Sequence, residues 1–581
     1  MRHLMTIGFA LVILLAIVLA AAEQAPQVAA QGPVVARPII GYAVKAGVSP
    51  RLRDIPPGLS EGGSLRVIAP RRAASSQVKL PSRIARDPVV QNNAGRINIP
   101  APIRNFEGTS NADNQSVSHS RFWPPDTNGD IGFDPSTGKK YYVQGVNIAY
   151  QVWDVTSVPV SISGPVDFEA LWTTLGPPCS TLTSIPSSGD IIVLFDSMAH
   201  RWLASVMAQP NDPNGPFHQC VAISKTADPT GQYWLYDFIV SNTLFNDYPK
   251  WAVWPDGYYL SVNQFDQNGN GDGVGAYVFD RTSMLSGGSP VSFQYFNLPN
   301  QYSMLPSNLN GSNLPPAGSP NYYVQLGYAA SGLAQNPLEV WQFHTDWSNP
   351  SNSTFAESVT LAAASFDSNL CNFNEACIPE PAVSGQATQA LDPLSDRLMY
   401  RLQYRDFGGY ETMVVNHTVA VGDFADHAGI RWYEFRRYGG GSWTIYQQGT
   451  YAPDSNHRWM GSMAMDGEGN IALGYSVSST SVFPSIRYTG RMATDPLNQL
   501  PQGEGTIANG TGAQTYTSRW GDYTAMSIDP ADDCTFWYTN EYYSTTNGSS
   551  NWQTRIGSFI LCSPQPGVYY FPVIGKNASL P

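Results

Sequence analysis

The chain has 581 residues, with 45 acids against 32 bases and a formal charge of −13. The charge is uneven: residues 31–105 hold 12 Lys or Arg against Asp54, Glu61 and Asp87, so a basic leader precedes a strongly acidic body. A body of that sign is a poor partner for nucleic acid, which is therefore excluded as the expected ligand.

Arg2 and His3 precede an apolar run from about Ile7 to Ala22 that ends in Ala20-Ala21-Ala22. This is the pattern of a secretory signal peptide over residues 1–22. The run is short for a membrane span, and no second long apolar run follows. A secreted monomer with no transmembrane segment in the mature chain is expected, extracellular or at the cell surface. Residues 23–105 show no sustained period of 2 or 3.6 and are broken by prolines from Pro33 to Pro102, so they read as a disordered Pro/Ala-rich leader or linker. Within it, Gly95–Pro100 is a candidate edge strand. The body spans residues 106–565 and a tail spans 566–581.

After Phe106, short runs dense in Tyr, Trp, Phe and Val alternate with Gly, Asn, Asp and Pro, so the body is all-β. Ser518–Tyr543 is a self-contained case, in which two aromatic-rich runs flank the acidic turn Asp529-Pro530-Ala531-Asp532-Asp533, a hairpin signal. Looser copies of its second run, TFWYTNE at Thr535, recur upstream: YYVQGVN at Tyr141, WLASVMA at Trp202, YYLSVNQ at Tyr258, YYVQLGY at Tyr322, LMYRLQY at Leu398 and IALGYSV at Ile471. Spacings of 56 to 76 residues between starts suit a four-stranded sheet with generous loops, repeated round an axis. Runs apolar on both faces, such as Phe536-Trp537-Tyr538, suit sheets sandwiched between neighbours. The expectation is a single β-propeller of seven four-stranded blades, with six or eight blades as the alternative count and a β-sandwich as the competing architecture. Closing such a ring calls for a blade built from both chain ends, or for a disulfide.

Six cysteines follow the signal with no CxxC pair, which in an exported chain favours disulfides. Sequence neighbours suggest Cys179 with Cys220, Cys371 with Cys377, and Cys534 with Cys562.

Two acidic loops have calcium-like spacing. In Asp126-Thr-Asn128-Gly-Asp130-Ile-Gly-Phe-Asp134, oxygens at the first, third, fifth and ninth positions could converge on a hard cation. Asp266-Gln-Asn268-Gly-Asn270-Gly-Asp272 matches the first half of an EF-hand loop. Both are equally the Gly/Asn turns that hairpins require.

A cation followed by Trp recurs as Lys250-Trp251, Arg458-Trp459 and Arg519-Trp520, and the likeness of HRWMGSMAMD at His457 to SRWGDYTAMSID at Ser518 extends further. Equivalent positions on successive blades point to one end of a ring, where Lys250, Arg458 and Arg519 could bind a carboxylate or sulfate. The alternative is a structural cation–π or ion pair repeated with the fold. Arg487 and Arg491 lie on what should be the next strand. Asp522, Glu541 and Tyr542 supply carboxylates and a phenol, an inventory sufficient for a glycosidase. No metalloprotease, nucleophile-elbow, P-loop or dinucleotide motif is present.

The segments PPDTNGDIGFDPSTGKKYYVQGVN at Pro124, GNIALGYSVSSTSVFPSIRYTGR at Gly469 and RWGDYTAMSIDPADDCTFWYTNEYY at Arg519 resemble a group of large secreted bacterial β-propeller proteins, near the sialidase-like and BNR-repeat propellers, to which no reaction is attached. The resemblance implies a propeller in an extracellular setting. The chain lacks the sialidase Phe/Tyr-Arg-Ile-Pro motif and the SxDxGxxW Asp box, so that family's arginine triad is not carried over. The leading expectation is a propeller that binds a carbohydrate or a cell-surface protein, with an exo-acting glycoside hydrolase second and a structural envelope protein third.

Overall fold

A computed structural model of the protein describes residues 37–56, 65–67, 87–95, 99–118, 120–180, 188–208, 214–327, 337–370, 376–383, 385, 389–422, 427–515, 517–546 and 551–562. The expected signal peptide, the 566–581 tail and Cys371 lie outside the described residues.

The described body is all-β, and its two α-helices, Asn111–Ser118 and Arg281–Ser286, are short connections. The strands form antiparallel four-strand meanders, of which seven can be followed among the described residues. Their first strands are Asn128–Asp134, Ser188–Asp196, Phe245–Trp254, Leu305–Leu309, Met399–Asp406, His457–Met465 and Ala525–Ile528, which define units 1 to 7. Each first strand packs against the next, and Ala525–Ile528 packs back on Asn128–Asp134, so the units stand round a common axis.

Unit 7 takes its fourth strand from the N-terminal side. Arg104–Glu107 pairs antiparallel with Gln553–Ile560, placing Glu107 opposite Arg555 and Arg104 opposite Ser558. Closure thus joins both ends of the body through backbone hydrogen bonds, and the Cys534–Cys562 disulfide fastens the same unit. Cys179–Cys220 also forms. Cys377 is disulfide-bonded.

Side chains that are apolar on both strand faces fill the spaces between units. Tyr142 of unit 1 stacks on Trp537 of unit 7 at 5.4 Å, and Trp254 of unit 3 meets Tyr404 of unit 5 edge-on at 4.7 Å. Trp202, Trp251, Trp459, Trp520 and Trp552 are all fully buried. Each contributes about 2–3 kcal/mol of transfer free energy, enough to make the inter-unit seams the main store of stability.

Two expectations need correction. The leader is not disordered throughout: Ile39–Val48 runs between Tyr233–Ser241 of unit 2 and Ser292–Leu298 of unit 3, pairing with both and merging the two units into one nine-stranded sheet. Val90–Gln91 adds to the outer strand of unit 5, and Gly95 bridges to Gln502 of unit 6. The leader therefore satisfies backbone groups that the outer edges would leave open. Ile39, Tyr42 and Val44 remain 50–58% exposed, so backbone pairing holds this strand and no amphipathic pattern betrays it. The second correction concerns LMYRLQY at Leu398. Six of the seven recurring runs are second strands of their units, whereas this one forms the first strand of unit 5 and pairs in parallel with Leu305–Leu309.

Candidate active site on the ring axis

The first strands carry a shared irregularity. Pairing with the second strand slips between Gly189 and Ile192, Asp247 and Lys250, Met399 and Gln403, and Trp459 and Ser462. At three of these slips a non-glycine residue adopts positive φ: Asp190 at 52°, Tyr248 at 58° and Met460 at 53°. Asp126, at 47°, does so just ahead of unit 1. Bulges of this kind re-aim side chains, and positive φ costs on the order of 1–3 kcal/mol at a bulky residue such as Tyr248. Repeated at the same level of the ring, they bring charged groups from several units together.

Asp126, Asp190, Lys250, Arg519 and Asp522 are between 1% and 7% exposed and form one electrostatic cluster with Arg397. The Arg519 guanidinium lies 2.7 Å from Asp522 Oδ1 and 3.8 Å from Asp392. The Asp522 main-chain N–H donates to Asp126 Oδ1 at 2.8 Å, and Asn147 Nδ2 donates to Asp126 Oδ2 at 2.6 Å. Asn147 Oδ1 in turn accepts from the Asp190 N–H at 3.1 Å, so one amide ties two carboxylate-bearing segments together. Lys250 Nζ sits 3.2 Å from the centroid of the Tyr248 ring and 4.0 Å from that of Tyr523, and donates to the Pro249 carbonyl. Arg397 pairs with Asp396 and covers Tyr248 from 4.8 Å.

Burial is the largest influence on the protonation of Asp126, Asp190 and Lys250. It pushes Asp190 up to about 7, with repulsion from Asp247 and Asp522 adding to the rise and Lys250 and Arg519 opposing it. It drives Asp126 well above the usual carboxylate range, reinforced by Asp522. It pulls Lys250 down to about 7 against the attraction of Asp190 and Asp522. A carboxylic acid and an amine that both exchange protons near neutrality within one buried cluster are equipped for general acid–base chemistry.

The candidates named from sequence scatter. Lys250, Arg519 and Asp522 meet on the axis. Glu541, 1% exposed, lies beneath them: its Oε1 accepts from the Gly521 N–H, its Oε2 meets no partner, and burial raises its carboxyl well above the usual range. Tyr542 points to the opposite face of its strand, donates to Glu107 at 3.0 Å and is pushed up to about 12 by burial and that carboxylate, so it is not paired with Glu541. Arg458 is held by Asp454, by both oxygens of Glu504 and by the Asn456 carbonyl. Arg487 borders the Arg458 group, with Nη1 donating to the Ala508 carbonyl, while Arg491 binds the Asp495 carbonyl. Trp251, Trp459 and Trp520 are core: Trp251 packs on Phe279, and Trp459 lies 5.8 Å from Trp520.

The two loops with calcium-like spacing use their oxygens locally. Asn128 Oδ1 accepts from Val193 N–H, Asp130 takes Phe195 N–H and pairs with Arg401, and Asp134 closes a turn onto Ser136 and Thr137. Asp266 accepts from Asn268 and Asn270 across a tight turn, as hairpin chemistry requires. Asp272 is the second residue of the strand Gly271–Phe279. Among the described residues, neither loop gathers three carboxylates into a cation-holding group.

Sequence reasoning missed Asp190, Arg397, Tyr248 and Tyr523. A signal for Asp190 existed: Gly189-Asp190 opens its apolar run as Gly521-Asp522 opens the last one.

No family model matches the chain, and no curated protein does. Among solved structures, the chain is similar to an alpha-L-arabinanase of Penicillium chrysogenum at 11% identity, over 71% of this chain and 100% of that one, with a TM-score of 0.33. It is similar to an ulvan lyase at 10% identity, over 81% and 95% of the two chains, with a TM-score of 0.34. A protein of Dyadobacter fermentans titled as of unknown function gives 10%, 82%, 99% and 0.33. Likenesses this remote assign neither fold nor activity.

Proposed function

We propose that the protein is a secreted seven-bladed β-propeller that hydrolyses glycosidic bonds at the axial cluster. The observation that carries this reading is Asp190, a buried carboxyl raised to about 7 at a bulge of its first strand, within the electrostatic reach of Asp522 and Lys250. Protonated Asp190 delivers its proton to the leaving glycosidic oxygen, and Asp522, oriented by Arg519 at 2.7 Å, serves as the second carboxylate that glycoside cleavage requires. Lys250 sets the proton affinity of Asp190 by its charge. The seven four-strand units, their cyclic packing and the closure by Arg104–Glu107 support the propeller reading. The two disulfides support an exported chain. Among the described residues, no helix is long and apolar enough to cross a membrane.

Cleavage is favoured over binding alone because the tryptophans beside the candidate cations, Trp251, Trp459 and Trp520, are 0% exposed and offer a sugar no stacking platform. The test is sugar release from a panel of polysaccharides and sialosides. Wild type should release reducing sugar from at least one, and Asp190→Asn should lose at least about 10²-fold of that rate with an unchanged melting temperature. Absence of release from every substrate by wild type would overturn the reading.

A further inference from the structure

Apart from the charged cluster, residues of units 1, 2, 4, 5 and 7 line a cavity of about 320 Å³. Its lining includes Ile131 from the middle of the first strand of unit 1, Met198 and His200 from just beyond that of unit 2, Leu309 and Asn310 from the end of that of unit 4, and Arg401 from the bulge of unit 5. Its volume falls at the lower end of small-molecule pockets, about 300–1,000 Å³.

We propose that this cavity binds one neutral sugar unit, as a site separate from the axial cluster. Three observations lead there. First, the charges on its walls are already spent: Arg401 Nη1 and Nη2 lie 3.3 Å from Asp130 Oδ2, and Asp533 is paired with Arg405. A charged ligand would find no counter-ion, so the occupant is neutral. Second, hydrogen-bonding side chains line the cavity, Ser197, Asn310 and Ser312 among them, and sugar hydroxyls meet such groups as donor or acceptor. Third, His200 holds φ at 51°, in the left-handed region, with its ring 6.2 Å from Phe195. The strain keeps a polar ring beside an aromatic one, next to the apolar wall of Ile131, Met198 and Leu309. A wall half apolar and half hydrogen-bonding matches a pyranose or furanose, which presents C–H faces and hydroxyl edges together.

The experiment is isothermal titration of the full chain with D-glucose, D-galactose and L-arabinose, with sodium acetate as the charged comparison. Wild type should bind at least one of the sugars and not acetate. Ser197→Trp, which fills the cavity from its lining, should abolish binding, while Asp190→Asn should leave it intact. His200→Asn, which tolerates the same φ, should weaken it about fivefold, the worth of one hydrogen bond. Thermal melts of all three variants confirm that they are folded. The inference is overturned if no sugar binds wild type, if acetate binds instead, if folded Ser197→Trp still binds, or if Asp190→Asn abolishes binding while Ser197→Trp retains it. Because the readout is binding, it stands apart from turnover: a protein that binds a monosaccharide but cleaves nothing would reject the hydrolase reading and keep this one.

Discussion

Units 6 and 7 begin with the same two residues and use them differently. Arg458-Trp459 and Arg519-Trp520 both bury their indoles in one shared cluster, where the two rings touch. Beyond that point the units diverge. Trp459 stands seven positions before the turn aspartate Asp466, whereas Trp520 stands nine before Asp529. Pairing in unit 6 begins at His457 and continues, with one bulge, to Met465, whereas in unit 7 it begins only at Ala525. The two additional residues, Gly521 and Asp522, form a short arch inward, held from below by Glu541 on the Gly521 N–H and from the side by Asp126 on the Asp522 N–H. A side chain at Gly521 would meet Glu541 Oε1 at 2.9 Å and so push aside the carboxylate that holds the arch from below. Arg458 stays within its own sheet, neutralised by Asp454 and Glu504, while Arg519 is carried to the axis to meet Asp522. Two residues of length thus separate a structural ion pair from a site, on an otherwise common motif.

That comparison can be broken outright by deleting Gly521 and Asp522, which gives unit 7 the spacing of unit 6. The arch and its carboxylate are then lost, and glycan release should fall by at least about 10²-fold, measured as reducing sugar per mole of folded protein. A deletion variant as active as wild type would show that the arch is ornamental.

The structural half of the comparison is tested by Glu504→Ala. Arg458 is 1% exposed and would keep only Asp454 and the Asn456 carbonyl, so the melt should report a loss of about 2 kcal/mol, with glycan release unchanged because Arg458 and Glu504 pair within unit 6.

A smaller effect probes the axial charges. Asp190 must be protonated to act as the acid, so activity falls as pH rises through about 7. Lys250 stabilises the ionised form of Asp190 and Asp247 opposes it. Lys250→Met should therefore move the alkaline limb of the pH–rate profile up, and Asp247→Asn should move it down, each by up to about one pH unit. Shifts in the same direction would remove Asp190 from the role of acid.

The smallest expected effect is that of metal removal. With the oxygens of Asp126, Asp130, Asp134 and Asp266 engaged by protein donors, EDTA should leave the melting temperature unchanged. A fall on chelation, reversed by calcium, would show that one of these loops holds an ion.

Much of the architecture was legible from residues alone. Strands apolar on both faces, punctuated by Asp and Gly turns at a repeating interval, are dictated by sheets stacked between sheets, and the chain cannot hide that pattern. Six of the seven recurring runs marked the same strand of their units, and the cysteines that pair, Cys179 with Cys220 and Cys534 with Cys562, are sequence neighbours. The leader strand Ile39–Val48 escaped because backbone pairing at an edge leaves no side-chain period. The candidate site was half legible. Lys250, Arg519 and Asp522 stood out as charges beside tryptophan, and so did Arg458, which the fold sends elsewhere. Asp190 carried only the Gly-Asp pair it shares with Gly521-Asp522, and Tyr248 and Arg397 carried no local mark. Their convergence depends on bulges that turn φ positive at chosen positions and on ring closure that brings units 1, 2, 3, 5 and 7 to one axis. Sequence determined that the chain would build repeated, doubly buried sheets, since hydrophobic burial is encoded residue by residue. Which charges would share one desolvated point was decided only by tertiary structure, because that depends on distances between strands far apart in the chain.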